Sequence, residues 1–314
     1  MTGRLITCDH KVYDLPVLLS WTVSYTGGIP CDCYTVRCLY SPDMAVPLHR
    51  AAGFLAMDGN RVLLRGMVDE YEITQDENGL SLELSGRGYA ARLLDNEARP
   101  MTYQDATLAE IIRNHVTPYG IQCRQVAAIR AGGTYTVSAG VSQWKALENF
   151  CRAYGNFTPR FSKEGLLIAA PEENSGKRLI IGDGDGVLSV RKRENHYGVL
   201  SEVLVIDKTR KTYYSVKNKD FMERGGQCRR VVYTPGQSTY SAMRYTGTYQ
   251  IERSQEEEIR VELCLPQVFA AFPGDRVRLE LNRSGICGNF QVAEAENSLS
   301  DAGETLRLTL KEEL

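Results

Sequence analysis

Between Cys33 and Tyr40 the chain reads CYTVRCLY, with Tyr34, Val36, Cys38 and Tyr40 on one side and Thr35, Arg37 and Leu39 on the other. A period of two predicts a strand with two distinct faces. The stretch FLAMDGNRVLLRGMV places Asp58-Gly59-Asn60 between two apolar runs, which predicts a hairpin. EYEITQDENGLSLELSG repeats the device around Asn78-Gly79, after which Leu80, Leu82 and Leu84 face one way and Ser81, Glu83 and Ser85 the other. Antiparallel strands are therefore expected up to about residue 88. The first domain is expected to span 1–98 and to be barrel-like.

The period then lengthens. In DATLAEIIRNHVTPYG, the residues Leu108, Ile111, Ile112, His115, Val116 and Tyr119 fall on one helical stripe. Thr107 and Glu110 have the spacing of a capping box, in which each satisfies an orphan donor at the helix start, and Gly120 suits its end. SQWKALENFCRAYG predicts a second helix, with Ser142 as cap, Trp144, Leu147, Cys151 and Tyr154 as stripe, and Gly155 as terminator. Each helix is followed by a strand candidate: IQCRQV, then TPRFSKEGLLIA turning at Lys163-Glu164-Gly165. Residues 99–175 thus read as a small α+β insert with two helices.

From about 178 the period of two returns in VLSVRKR, LSEVLVID, TYYSVKN, RRVVYT, IRVELCL, DRVRLELN, GNFQVAEAEN and TLRLTLKE. These predict a second barrel-like β domain over 176–314. Residues 237–258 carry no readable period and are expected to be a connector with a short helix. The fold class expected is β-rich α+β, with two antiparallel barrel-like β domains flanking the insert.

Bulk properties narrow the function. The formal net charge of −2 leaves no global basic field to condense on nucleic acid. No apolar run approaches the ~18 residues that span a bilayer, so no membrane insertion is expected. The polar start MTGRLITCDHKVYDLP does not read as a secretory leader. The nine cysteines are scattered, and the Cys31–Cys33 pair lacks both CxxC spacing and a second half-site. Reduced thiols, no metal, no cofactor and no disulfide are expected.

Gly86, Gly88 and Ala91 formally fit a dinucleotide loop, but the strands before them are antiparallel hairpins rather than a parallel βαβ start. A tight exit from strand to helix is the better reading. Asp183 and Asp185 in GDGDG lack the further acids of a calcium loop and read as a turn. His10, His49, His115 and His196 lie far apart, and His115 falls on the apolar helical stripe. A Cys151–His196 nucleophile pair has no local signature. The clusters RKREN at 191–195 and CRRV at 228–231 read as solvated strand faces. No catalytic constellation emerges, and no enzyme is expected.

The order of the pieces carries a resemblance. LLRGMVDEYEITQDENGLSLELSGRGYAARLLDNEA resembles a segment of phage and tailocin contractile-tail baseplate hub proteins, the match falling on Gly66, Val68, Asp69, Leu82, Leu84, Gly86, Arg87, Leu93 and Asp95. ATLAEIIRNHVTPYGI and WKALENFCRAYG are similar to the two helices that follow the family's first barrel. FPGDRVRLELNRSGICGNFQVAEAENSLSDAGETLRLTL is similar to its closing barrel through Pro273-Gly274-Asp275, Gly288, Val292 and Gly303. Length and order are nearest the XkdQ-like hubs, with late control protein D and the hub part of type VI secretion spikes as related forms.

The resemblance implies a homotrimer that caps the tail tube protein and carries the central spike protein below it, among other baseplate proteins. Tape measure protein or DNA would pass through its lumen. It implies synthesis in the host bacterial cytoplasm and a final place in the virion or tailocin baseplate, reached without secretion. Two alternatives belong to other classes: a tail-tip protein that binds or degrades cell wall, and an oligonucleotide-binding barrel.

Overall fold

A computed structural model of the chain describes residues 1–27, 30–77, 79–171, 176–234, 238–255 and 258–313. The architecture is β-rich α+β. Its centre is a sheet in which eight strands follow one another in hydrogen-bonded order. They are Ser189–Glu194, Ile259–Leu265, Gly303–Glu312, Ile286–Ser300, Leu18–Thr26, Cys33–Leu39, Gly79–Arg87 and Glu70–Asp76. Every neighbouring pair along this path is antiparallel. Arg276–Leu281 branches off beside Ile286–Ser300 and pairs in parallel with Arg178–Gly182, making ten strands in all.

The alternation read at 33–40 is realised: Tyr34, Val36 and Cys38 are buried. Across the register they continue as Leu82 and Leu84 on one side, then Trp21, Val23 and Tyr25 on the other. The row runs on through Ala295, Leu308 and Leu263. One face of the sheet is therefore core from Gly79–Arg87 across to Ile259–Leu265, and the other is mostly polar, as an antiparallel sheet allows. A four-stranded sheet closes over this core, ordered Val12–Asp14, Thr2–Thr7, Ala51–Asp58 and Arg61–Met67. It contributes Leu5, Phe54, Ala56, Leu63 and Leu64.

The fifteen-residue strand Ile286–Ser300 joins the two ends of the chain. Its first part pairs with Arg276–Leu281 and its last part with Leu18–Thr26, with a bulge between Val292 and Glu294 where it changes partner. The N- and C-terminal β regions thus share one sheet and one core. The sequence pattern alone predicts two separate β domains, because alternation identifies the buried face of a strand but not the neighbour that covers it.

The insert has its own core. Thr107 and Glu110 form the expected capping box on the helix Leu108–His115, and Ser142 accepts from the Lys145 amide at the start of Gln143–Gly155. Leu108, Ile111, Ile112, Val116, Trp144, Leu147 and Cys151 are buried against short strands. Cys123–Val126 pairs in parallel with Leu167–Ala169, and Met101–Gln104 pairs with Thr134–Val137.

A further unit leaves the body between the paired strands Ser189–Glu194 and Ile259–Leu265. Glu202–Asp207 lies between Tyr213–Lys217 and Arg229–Thr234, and the helix Tyr240–Gln255 packs Met243 and Ile251 onto Val203 and Val205. The stretch expected as a connector at 237–258 is thus a sixteen-residue helix over most of its length. Residues 237, 256 and 257, and Asn78 of the second hairpin turn, lie outside the described residues.

Candidate functional site

Where the body meets the insert, the motif residues read from the sequence come together. Gly86 and Arg87 end the strand Gly79–Arg87, and Gly88 bridges to Gly66. A methyl group on Gly86 would overlap the carbonyl oxygen of Met67, and one on Gly66 would overlap that of Arg87. The glycines are there so that two backbones can touch. Tyr34 donates its hydroxyl to the same Met67 carbonyl at 2.9 Å, and Tyr25 donates to Leu63 at 2.8 Å, tying the small sheet to the large one.

Arg87 then reaches out between two carboxylates. Its Nε and one terminal nitrogen donate to Asp69 at 2.7 and 3.1 Å, and its terminal nitrogens donate to Asp95 at 3.0 and 2.8 Å. Both forks are bidentate, the strongest geometry for this pair. The Arg87 hydrogen bonds hold the Asp95 carboxyl below its ordinary pKa, and the two acids raise that of the guanidinium. Asp69 precedes the edge strand Glu70–Asp76 and Asp95 follows the short helix Ala91–Leu94, whose Leu93 is buried in the insert core. Arg87 is therefore a clamp between body and insert. Four of its five N–H donors are already engaged, and two carboxylates meet its single charge.

Beside the clamp lies a cleft lined by Thr26, Asp32, Arg65, Tyr89, Trp144 and Phe161, with a volume of about 20 Å³. Such a volume holds about one water. Asp32 accepts from the Thr26 amide at 2.9 Å, yet burial pushes its pKa up to about 6. Burial and the neighbouring Asp32 charge push the Cys31 thiol up to about 12, the opposite of an activated nucleophile. Asp32 sits between the two cysteines of CDC, where no motif or period marks it out.

The other candidates lie apart. His115 is buried, between Gln143 at 2.7 Å and the Tyr103 hydroxyl at 2.9 Å. Cys151 is buried in the insert core with its thiol pushed up to about 12, whereas His196 is exposed beside Glu194. Asp185 accepts from the Gly182 amide and Asp183 from the Asn282 amide, so both acids serve turn backbone. His10 lies in a turn with φ of 62°, and His49 ends a short helix. In CRRV, Arg229 pairs with Glu202 at 2.6 Å and Arg230 donates to Gln250. RKREN lies on an edge strand. Among the described residues no cluster of three His, Cys, Asp or Glu side chains could hold a metal. Among the described residues no helix is long and apolar enough to cross a membrane.

No protein-family model matches the chain, and no curated protein matches it in sequence. Solved structures do. The tail protein from Neisseria meningitidis MC58 superposes with a TM-score of 0.79 at 16% identity, over 99% of this chain and 96% of that one. The 43 kDa tail protein of prophage MuSo2 from Shewanella oneidensis gives 0.78 at 16% identity, over 99% and 98%. An Escherichia coli component of the type VI secretion system, described as similar to the bacteriophage T4 tail proteins gp27 and gp5, gives 0.60 at 10% identity, over 95% and 74%. The class is thereby defined at the level of fold. This chain has the fold of phage tail proteins and of their type VI secretion relatives, from end to end.

Proposed function

We infer that this protein is a structural component of a phage-like tail, and within it the baseplate hub of a contractile tail. In this reading it caps the tail tube as a homotrimer, carries the central spike below, contacts other baseplate proteins and surrounds a lumen for tape measure protein or DNA. The observation that carries it is the likeness to two phage tail proteins over nearly all of both chains. The site agrees with a mechanical role. The polar groups that the fold brings together, Arg87 with Asp69 and Asp95, are paired with one another and fix one unit on the next. Gly66, Asp69, Gly86, Arg87, Leu93 and Asp95, among the residues that carry the resemblance, meet at this joint.

Immunogold electron microscopy of native tail particles, with antibody against this chain, tests the assignment. Label should appear at the end of the tube, between tube and spike. Label along the tube, on lateral fibres or absent from particles would overturn it.

A further inference from the structure

The three-stranded sheet of Tyr213–Lys217, Glu202–Asp207 and Arg229–Thr234 is covered on one face only. The helix Tyr240–Gln255 takes the side of Val203 and Val205. On the other side the register sets three rows across the strands. Tyr213, Ile206 and Tyr233 form the first, Ser215, Leu204 and Val231 the second, and Lys217, Glu202 and Arg229 the third. Tyr213 is 73% exposed, Tyr233 58% and Val231 46%, so none of the described residues lies over them.

Cations bound this face at both ends. Lys217 and Arg229 close one end. At the other, the Lys208 ammonium stands 5.8 Å from the centre of the Tyr233 ring, and the turn that follows adds exposed Arg210 and Lys211. The face itself holds one acid, Glu202, which accepts from Arg229 at 2.6 Å and from Ser215 at 2.7 Å. The acid at its end, Asp207, is buried and accepts from the amides of Thr209, Arg210 and Ser238. Asp220 and Glu223 lie on the short helix Lys219–Glu223, and Glu252 lies on the covering helix. Around the face, five cations therefore meet two acids, both already bonded. The chain as a whole is slightly acidic, but charges more than ~8–10 Å away are largely screened at physiological salt, so a ligand meets the local excess.

The charge calls for an anion, and the rings decide which kind. Tyr213 and Tyr233 sit on the two strands that flank the centre, two strand spacings or about 9–10 Å apart. Protein interfaces are depleted in lysine, whereas Lys208, Lys211 and Lys217 rim this face. A nucleic-acid strand uses every feature present: phosphates meet the cations, and bases lie flat on exposed aromatic rings. A duplex keeps its base faces stacked on one another and has no use for the tyrosines.

We propose that the open face of this sheet binds single-stranded nucleic acid, with bases stacked on Tyr213 and Tyr233 and phosphates held by Lys208 and Lys217. This binding activity goes beyond the tail role proposed above and does not depend on it. Stacking tolerates any base, so the site is indifferent to sequence.

Fluorescence anisotropy of a short labelled oligothymidylate with the full-length chain tests the site, with circular dichroism to confirm folding. Binding should appear at low salt and fall linearly with salt on logarithmic axes. Tyr213→Ala with Tyr233→Ala should weaken it roughly a hundredfold at an unchanged salt slope. Tyr213→Phe with Tyr233→Phe keeps both rings and should bind like the wild type. Lys208→Gln with Lys217→Gln should reduce the salt slope by about 1.4. Absence of binding at low salt, or a double alanine variant that binds like the wild type, would overturn the proposal. So would a DNA duplex that competes as well as the single strand, or poly-glutamate that does so, the latter assigning the face to acidic protein. Loss of binding in Arg191→Gln with Arg193→Gln alone would move the site to the strand Ser189–Glu194 and overturn it equally. Each of these results leaves the tail assignment to the gold label.

Discussion

Gly86 shows why a glycine beside a charge need not be a ligand site. Its missing side chain lets two strands touch, and the arginine that follows is held by two acids of the same chain. Asp32, nearby, has the reverse problem. Its folded pKa of about 6 lies above the ordinary 3.8, because burial penalises the charged form. The proton it holds therefore contributes stability in full below about pH 3.8, and that contribution is lost as pH rises through about 6. Asp32→Asn keeps an acceptor for the Thr26 amide without the charge. Urea unfolding should find this variant more stable than the wild type by about 1–3 kcal/mol at pH 7.5, with the advantage gone by pH 3.5. An equal difference at both pH values would show that charge burial is not the cause.

The two insert helices were legible because their signals are strong and local. A capping box fixes the start of Leu108–His115, and large aliphatic residues mark its buried stripe. Ile112→Asp would place a carboxylate among Leu108, Trp144 and Leu147, and should cost more than about 3 kcal/mol in chemical denaturation. A silent substitution would mean that the stripe is not core. The helix Tyr240–Gln255 gave no such signal. Its buried positions are Ala242, Met243, Gly247 and Ile251, too small or too few to form a visible stripe. Gly247 is the informative one. A side chain there would press within 2.5 Å of Val216 and within 3.2 Å of Val205, so its absence lets the helix lie close on the sheet. Close approach through a small residue removes the very hydrophobicity by which sequence reading finds helices.

At the scale of the molecule, most strands were legible in position and face. Their partners were not, since a period of two specifies what a strand buries and not which strand lies beside it. The joining of both ends of the chain through Ile286–Ser300 belongs to this hidden class, as do the clamp's partners, which only the resemblance grouped together. The two tryptophans make the joint measurable. Trp21 lies in the shared core, stacked on Phe269 at 5.3 Å, and Trp144 lies in the insert core. A chain ending at residue 285 loses Phe290, Val292, Ala295, Leu306, Leu308 and Leu310 from the shared core and nothing from the insert core. Single-tryptophan versions of it should show exposed, solvent-shifted fluorescence for Trp21 and a cooperative unfolding transition for Trp144. A native-like Trp21 signal would mean that the N-terminal strands close without the C-terminal ones.

The strand Leu18–Thr26 also keeps a schedule. Its neighbour, Ile286–Ser300, begins 260 residues after Thr26 in the chain. At about 5–20 residues per second, the ribosome takes on the order of tens of seconds to supply it. Throughout that interval Trp21, Val23 and Tyr25 have one flank uncovered, while the insert, complete much earlier, can already fold. The nascent chain thus passes through a long-lived state with a finished insert and an open β layer, the state in which chaperones would find it and in which crowding on polysomes would do most harm. Synthesis of Ile286–Ser300, rather than collapse, sets the time at which the shared core can close.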